Sequence, residues 1–150
     1  MPGPADHVQI RRARLSDVSA VAELSGQLGY PASEGEMADR LARLIRQPRF
    51  GAVLVAEDSA GRIVGWLHVS VTPLLEVCLR AEVNGLVVAA GQRSLGSGAR
   101  LLEAAEAWAR SKGCASMSVR SNVTRDRAHA FYLRNGYEHY KTQKAFRKAL

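Results

Sequence analysis

The stretch LVVAAGQRSLGSGARLLEAAEAWA, residues 86–109, decides the fold of this chain. An apolar, strand-like run over residues 86–90 enters a short loop, and the loop opens directly into an amphipathic helix. Within the loop, Arg93, Gly96 and Gly98 have the spacing R-x-x-G-x-G. Backbone N–H groups at a helix start lack intrahelical partners, and the helix dipole adds positive potential there. The stretch therefore predicts an anion site, since glycines without Cβ atoms let a diphosphate approach the main chain.

Two better-known phosphate motifs do not fit this loop. A Rossmann fingerprint would need a third small residue where Leu101 stands, and its acidic partner about 20 residues further on is missing. A P-loop would need a Gly-Lys-Ser/Thr sequence, which does not follow. An ordinary strand-to-helix turn, in which glycine only relieves strain, stays open as an alternative. The helix itself is predicted to run after Gly98 to about Lys112 and to stop at Gly113.

A second motif follows in the C-terminal part of the chain. Residues 115–121 alternate between apolar and polar and predict a strand, after which comes Asn122. Asp126 is predicted to cap a short helix over residues 127–135. From Tyr137 to the C-terminus we expect a last hairpin or strand pair.

Together the two motifs resemble the GNAT superfamily of acetyl-CoA-dependent N-acetyltransferases. One is the R-x-x-G-x-G loop at residues 93–98, and the other is Asn122 followed by A-x-x-F-Y-x-x-x-G-Y/F at residues 128–137. The resemblance covers essentially the whole chain in length and element order. It departs locally at residues 89–92, which read AAGQ where members often have a turn with Pro or Glu. The resemblance implies one N-acetyltransferase domain over residues 1–150.

The rest of the chain supplies the other elements of the predicted fold. Apolar periodicity predicts two helices, one capped by Ser16 or Asp17 and one opened by a capping box of Ser33 and Glu36. A hairpin turn is predicted at residues 58–61. Further strands are predicted at residues 8–13, 52–57, 62–72 and 80–89. The order β-α-α-β-β-β-α-β-α-β-β predicts an α/β (α+β) fold, a mixed sheet flanked by helices on both faces, as the GNAT resemblance also implies.

The resemblance implies acetyl-CoA as cofactor. Arg93 and the main-chain N–H groups of residues 94–99 are the candidates for its diphosphate, and the main chain of residues 86–88 would pair with the pantetheine arm. Gly85 interrupts this strand and marks a bulge, where the family's central strand commonly splays. The full set of predicted cofactor residues is Leu86, Val87, Val88, Arg93, Ser94, Leu95, Gly96, Ser97, Gly98, Ala99, Asn122 and Phe131. For Asn122, a strand-end turn role stays open.

Two side chains are implied as catalytic. Tyr132 matches the tyrosine that many members use as general acid toward the coenzyme A sulfur, with a core aromatic as the alternative. Glu82 matches a glutamate that deprotonates the amine, usually through water. A carboxylate on a central strand is expensive unless it is paired, so a structural ion pair with Arg80 or Arg120 is the alternative.

The acceptor pocket is less well marked. Strand alternation is expected to put Glu82, Asn84 and Leu86 on one face. The family forms its acceptor pocket from the first two helices and the loop before the central strand. The predicted substrate residues are Tyr30, Glu34, Glu76 and Asn84, with Gln27, Leu74, Leu75, Trp66 and His68 as further lining. The acceptor is predicted to be a small polar amine: aminoglycoside-like, a polyamine or an amino acid. A protein lysine or N-terminal amine is the second choice, and a non-catalytic acyl-CoA-binding module is the rival from another class.

Charge and composition limit the classes of partner that the chain is expected to bind. The net charge of +7 is uneven, because residues 110–150 hold 10 Lys/Arg against 2 Asp/Glu. This half could meet nucleic acid or draw in polyanionic coenzyme A. The absence of an aromatic RNA-binding motif and of a zinc finger argues against nucleic acid, and a homodimer stays open.

Other features bear on location and metals. No apolar run approaches the roughly 18 residues of a membrane span, and no secretory signal is visible, so we predict a cytoplasmic protein without a membrane partner. Residues 1–7 are expected to be a flexible tail. Cys78 and Cys114 are expected to be reduced, buried thiols. The four histidines form no ligand spacing with either cysteine, so no metal is predicted.

Overall fold

The computed structural model describes residues 8–93 and 96–150. They form two compact units, one that ends at Arg120 and one that spans Ser121–Leu150. The expected flexible tail at residues 1–7 and the expected cofactor contacts of Ser94 and Leu95 lie outside the described residues. The single domain over residues 1–150 stays a prediction.

A five-stranded sheet forms the centre of the first unit, with strand order β1-β2-β3-β4-β5. The first three pairings are antiparallel, and β4 pairs with β5 in parallel. The strands are β1 Gln9–Arg12, β2 Gly51–Glu57, β3 Ile63–Val71, β4 Arg80–Val88 and β5 Ser116–Val119. The mixed sheet that the sequence predicts is thus confirmed, with strand ends shifted by at most two residues.

Four α-helices accompany the sheet: α1 Val18–Leu28, α2 Glu34–Ile45, α3 Ser97–Ser111 and α4 Asp126–Arg134. The capping box of α2 is confirmed, since the Glu36 amide donates to Ser33 Oγ at 3.1 Å and the Ser33 amide donates to Glu36 Oε1 at 3.4 Å. Helix α1 ends at Gly29, whose φ of 101° is left-handed. These helices start and stop where local side-chain chemistry satisfies their free backbone groups.

Two predicted caps differ in detail. Asp17 precedes α1, but its carboxylate does not cap this helix; it accepts from both terminal nitrogens of Arg11 at 2.8 and 2.9 Å and from the Arg14 amide at 2.8 Å. The bidentate guanidinium contact lowers the pKa of this buried carboxyl. Asp126 is the first residue of α4 and Arg125 is its N-cap, so the Asp126 cap is wrong by one residue.

Helices cover both faces of the sheet. On one face, α1 and α2 pack against β2 in a buried cluster of Ala13, Val21, Ala22, Met37, Leu41, Val53 and Val55. On the other face, Leu101 of α3 lies under β3, where a Cβ added to Gly65 would come within 3.2 Å of Leu101 Cδ1. The predicted arrangement of helices on both faces is therefore confirmed.

A bulge interrupts the pairing of β3 with β4 at Asn84. Val69 lies opposite Val83, and His68 lies opposite Gly85, so Asn84 has no counterpart on β3. An unmatched residue shifts the side-chain alternation of its strand by one position.

The bulge overturns the expectation that Glu82 and Leu86 share a face. Glu82 lies opposite Ser70, whereas Leu86 lies opposite Leu67. Because Ser70 and Leu67 are three residues apart on one strand, they point to opposite faces of the sheet, and so do their partners. Glu82 therefore faces the α1–α2 side, and Leu86 faces α3.

The expected final strand pair is wrong. After Tyr137, residues 138–150 contain no strand or helix. Tyr140, Phe146 and Leu150 are exposed, the last two almost completely. Four cations at Lys141, Lys144, Arg147 and Lys148 separate the few apolar residues, which leaves no continuous apolar face to bury against a sheet.

The cysteines only partly match expectation. Both are free, but Cys78 is exposed because it lies in the surface loop between β3 and β4. The expectation of a buried thiol is therefore wrong for Cys78. Cys114 follows α3 and is partly buried, and desolvation raises the pKa of its thiol.

The described residues, 8–93 and 96–150, also bear on the membrane and metal predictions. None of their helices combines the length and the apolar character that crossing a membrane requires. None of their His, Cys, Asp and Glu side chains gather in groups of three or more that could hold a metal ion. The cytoplasmic location and the homodimer stay predictions.

Gly85 fits tightly under Trp66, and its replacement should destabilise the fold. A Cβ at residue 85 would lie 2.9 Å from Cη2 and Cζ3 of the Trp66 ring. We expect Gly85→Ala to lower the free energy of unfolding by about 1–3 kcal/mol, measured by urea denaturation, because the indole must shift in a packed layer. The matched control is Gly26→Ala in α1, where a Cβ meets nothing within 4 Å and helix propensity should raise stability. Equal stability of Gly85→Ala and the unmodified chain would contradict this packing.

Candidate functional site

The loop between β4 and α3 has the backbone geometry of an anion site. After β4 a single 3-10 turn, Ala90–Gln92, leads to Arg93. Gly96 is the N-cap of α3 with a φ of 80°, a left-handed conformation that glycine adopts without strain. The first intrahelical bond joins the Arg100 amide to the Gly96 carbonyl at 3.1 Å, so the amides of Ser97, Gly98 and Ala99 precede it. Such amides point outward from the helix start.

The side chains at this loop also suit an anion. Arg93 is exposed, and its Nε donates to the Val88 carbonyl at 3.3 Å, which holds the guanidinium beside the end of β4. A Cβ on Gly96 would meet no atom of the described residues within 4 Å. Ser97 is buried, and its Oγ has no hydrogen-bond partner in the part of the chain that the structure describes. Donors, a cation and open space together fit the diphosphate of coenzyme A.

The edge of β4 opens toward the same loop. Strand β5 pairs with β4 only from Arg80 to Val83, whereas β3 pairs with β4 as far as Val88. Among the described residues, no strand lies along the second edge of residues 85–88. The main chain of residues 85–88 can therefore pair with an extended, amide-containing ligand, as an added strand would. This is the position predicted for the pantetheine arm.

A polar group of side chains lies where the bulge begins. Glu82 Oε1 accepts from Arg120 Nε at 2.7 Å, so the ion pair that the sequence left open with Arg80 or Arg120 forms with Arg120. Asn84 Nδ2 donates to Ser70 Oγ at 2.7 Å. The glutamate is about one-quarter exposed, so water and small solutes can reach its carboxylate. A reachable carboxylate is what a general base requires.

His68 lies opposite Gly85 on the same face of the sheet. Desolvation by burial lowers the pKa of its imidazole below 6.5, so His68 is neutral at pH 7. A neutral imidazole can accept or donate a hydrogen bond without adding charge to this face of the sheet.

In the second unit, Asn122 forms a local turn. Its side-chain oxygen accepts from the Thr124 amide at 3.0 Å and from Thr124 Oγ1 at 2.8 Å. Its carbonyl contacts His129 Nε2 at 2.8 Å. The turn role that the sequence left open for Asn122 is therefore present. Its hydrogen bond to the cofactor arm stays a prediction. The group expected to make it is the side-chain amide nitrogen of Asn122.

Tyr132 of α4 is part of an aromatic cluster. Its ring packs edge-on against Phe131 and Tyr137, with centroid distances of 5.2 and 5.7 Å. Burial raises the pKa of the Tyr132 phenol above its ordinary value of 10.0, although the charge of Arg125 opposes this. The phenol is therefore protonated at neutral pH and can donate a proton.

The predicted acceptor residues are exposed. Tyr30 follows α1 and is 70% exposed, and Glu34 begins α2 and accepts from Ser19 Oγ at 2.8 Å. Glu76 lies in the exposed loop between β3 and β4. This loop also holds Leu74 and the fully exposed Leu75. Their contact with a substrate stays a prediction.

Sequence reasoning missed two features of the site. Ser70, the partner of Asn84, was not singled out, because cross-strand partners depend on a register that the sequence does not display. The bulge was placed at Gly85 rather than Asn84. The Asn-Gly dipeptide inside an otherwise apolar strand was the available signal.

A sequence model of the acetyltransferase (GNAT) family matches residues 18–137. The chain belongs to the GNAT family. Its membership confirms the prediction of an acetyl-CoA-dependent acetyltransferase, and the loop, the cation and the open strand edge described above fit that cofactor.

Individual GNAT relatives are also similar to the chain. Aminoglycoside N(6')-acetyltransferase type 1 of Klebsiella aerogenes is 30% identical over 120 residues, 78% of each protein. The crystal structure of aminoglycoside 6'-N-acetyltransferase AAC(6')-Ih from Acinetobacter baumannii has a TM-score of 0.85 at 20% identity, covering 96% of this chain and 99% of that one. A structure of AAC(6')-Iy in complex with CoA also has a TM-score of 0.85, at 18% identity and 96% coverage of both chains. The two structures show the GNAT fold.

The cofactor loop of this GNAT protein can be tested at Gly96. Gly96→Val puts a branched side chain into a left-handed conformation, at the point where a phosphate would approach the main chain. We expect the affinity for coenzyme A, measured by calorimetry, to fall at least about tenfold. The control is Gly91→Ala in the same loop, where the φ is not left-handed and a Cβ meets nothing within 4 Å. An unchanged dissociation constant for Gly96→Val, with the fold intact by circular dichroism, would remove the assignment.

Proposed function

We propose that this protein transfers an acetyl group from acetyl-CoA to a primary amine by direct attack in a ternary complex, and that the acceptor is a small polar amine. The observation that carries the proposal is the open edge of β4. It runs from the bulge beside Glu82 to the cationic loop that begins α3. The Klebsiella aerogenes relative, named as an aminoglycoside acetyltransferase, supports a small-molecule amine as acceptor.

The chain's own groups divide the binding work. Arg93 and the first amides of α3 hold the diphosphate, and the main chain of residues 86–88 pairs with the pantetheine arm. When bound, acetyl-CoA supplies a thioester with an electrophilic carbonyl carbon and a sulfur leaving group. The remaining requirement is proton transfer, because an alkyl ammonium with a pKa near 10.4 is not a nucleophile at neutral pH.

Two side chains move the protons in this proposal. Glu82 takes a proton from the acceptor ammonium through a water molecule, using the carboxylate that faces the α1–α2 side of the sheet. Tyr132 donates its phenol proton to the departing sulfur. Tyr30, Glu34, Glu76 and Asn84 are proposed to contact the acceptor. Splitting the two roles lets each group start in the protonation state that its step needs.

The test is a thiol-release assay with acetyl-CoA and a panel of aminoglycosides, polyamines, amino acids and peptides. We expect Glu82→Gln and Tyr132→Phe each to lower kcat by about 10²-fold or more, since general acid–base groups contribute about 10²–10⁴-fold. The dissociation constant for acetyl-CoA should change little in both variants, because neither side chain is proposed to hold the cofactor.

The raised pKa of Tyr132 also predicts a direction for the pH dependence of the activity. Because burial raises the pKa of Tyr132 above its ordinary value, its acid form persists to higher pH than that of a free phenol, so any loss of activity through this group should come at more alkaline pH than for an unperturbed tyrosine. Unchanged turnover in Tyr132→Phe would remove the acid role, and unchanged turnover in Glu82→Gln would remove the base role. Coenzyme A binding without thiol release from any amine would instead favour a non-catalytic acyl-CoA-binding module.

A further inference from the structure

The ion pair between Glu82 and Arg120 leaves one charged end of each side chain open. We propose that this pair selects acceptors whose amine lies beside a carboxylate, that is, zwitterions of the α-amino-acid type, over polycations. The inference rests on the proposed transferase function and narrows its acceptor class.

Arg120 uses only one side of its guanidinium. Its Nε donates to Glu82 at 2.7 Å, and no hydrogen bond of its two terminal nitrogens is found among residues 8–93 and 96–150. The side chain is 80% exposed. A guanidinium presents its terminal nitrogens as a planar fork that matches a carboxylate in a bidentate contact. Arg120 can therefore hold Glu82 and still bind a substrate carboxylate.

Glu82 is open in the complementary way. Arg120 occupies Oε1, and Oε2 has no hydrogen bond within the described chain. The second carboxylate oxygen can receive an ammonium group or the water that relays its proton. The free ends of the pair thus offer a negative and a positive contact on adjacent side chains.

Three polar neighbours of the pair, Ser70, Asn84 and His68, add no charge to it at pH 7. Ser70 lies directly opposite Glu82, and its hydroxyl bonds the neutral amide of Asn84. His68, on the same face, is neutral at pH 7 because burial lowers the pKa of its imidazole. With Glu82 matched by Arg120, a polycation would gain one attraction and meet one repulsion, whereas a zwitterion would gain two attractions.

The experiment compares matched acceptors in the thiol-release assay. The common α-amino acids are assayed against their own α-carboxamides, with spermidine and kanamycin as polycations. We expect the enzyme to favour one or more amino acids over the matching carboxamide. In Arg120→Gln, KM for that amino acid should rise about ten- to hundredfold, as expected for the loss of a hydrogen bond to a charged group. KM for the matching carboxamide should stay within about twofold of its value in the unmodified enzyme. Arg120→Lys, which keeps the charge and loses the fork, should lie between.

The outcomes separate the two levels of the proposal. If Arg120→Gln raises KM for the acid and for the carboxamide by the same factor, Arg120 serves only to hold Glu82, and the selectivity inference is overturned. If the unmodified enzyme prefers spermidine or kanamycin, the inference is overturned while the transferase function stands. If coenzyme A binds but no amine in the panel releases thiol, the transferase proposal itself fails.

Discussion

The constraint on which this site depends is the loss of a strand partner in the middle of the sheet. Every backbone N–H and C=O away from water needs a hydrogen-bond partner, and a central strand normally finds one on each side. Strand β4 meets this rule on both edges only as far as Val83, after which β5 ends. Residues 85–88 keep β3 on one side, and no strand of the described residues pairs with their other edge.

The bulge and the helix start turn this open edge into a directed site. Asn84 shifts the alternation, so that Glu82 faces α1 and α2 while Leu86 packs toward α3. At the far end of the strand, Arg93 bonds the Val88 carbonyl, and α3 begins at Gly96 with three amides that precede its first intrahelical bond. A ligand with an amide-rich arm and a terminal diphosphate satisfies the strand edge and the helix start together. The GNAT cofactor has that composition, and on this physical ground we propose that it binds here.

Elements with local signals could be predicted from the sequence. The capping box at Ser33, the stop of α3 before Gly113 and the glycine turn at Gly96 depend on residues close together in the chain, and the structure has all three. Features that depend on residues distant in the sequence were harder to predict. The sequence predicts Ser16 or Asp17 as the cap of α1, but the Asp17 carboxylate is bound by the guanidinium of Arg11 on β1.

Longer-range geometry explains the other differences. The partner of Glu82 is Arg120 because parallel β5 brings the two together, which neither residue's neighbours indicate. Leu86 faces the side of the sheet opposite to the predicted one, because a single bulged residue reverses the alternation of side chains along the strand. The segment after Tyr137 has a strand-like opening, but its scattered cations leave it without pairing. The aromatic and cofactor motifs were enough to identify the family. The register of β3 on β4 could be known only from the structure.

The central claim, that coenzyme A lies along residues 85–88 and ends on the start of α3, is tested most directly by amide hydrogen exchange with and without saturating coenzyme A. We predict slower exchange at residues 96–99 and at those of residues 85–88 whose amides face away from β3, because the cofactor supplies acceptors for amides that are not bonded to β3. Residues 116–119, already paired in β5, should change little. Saturated binding with unchanged exchange at residues 85–88 would contradict the account.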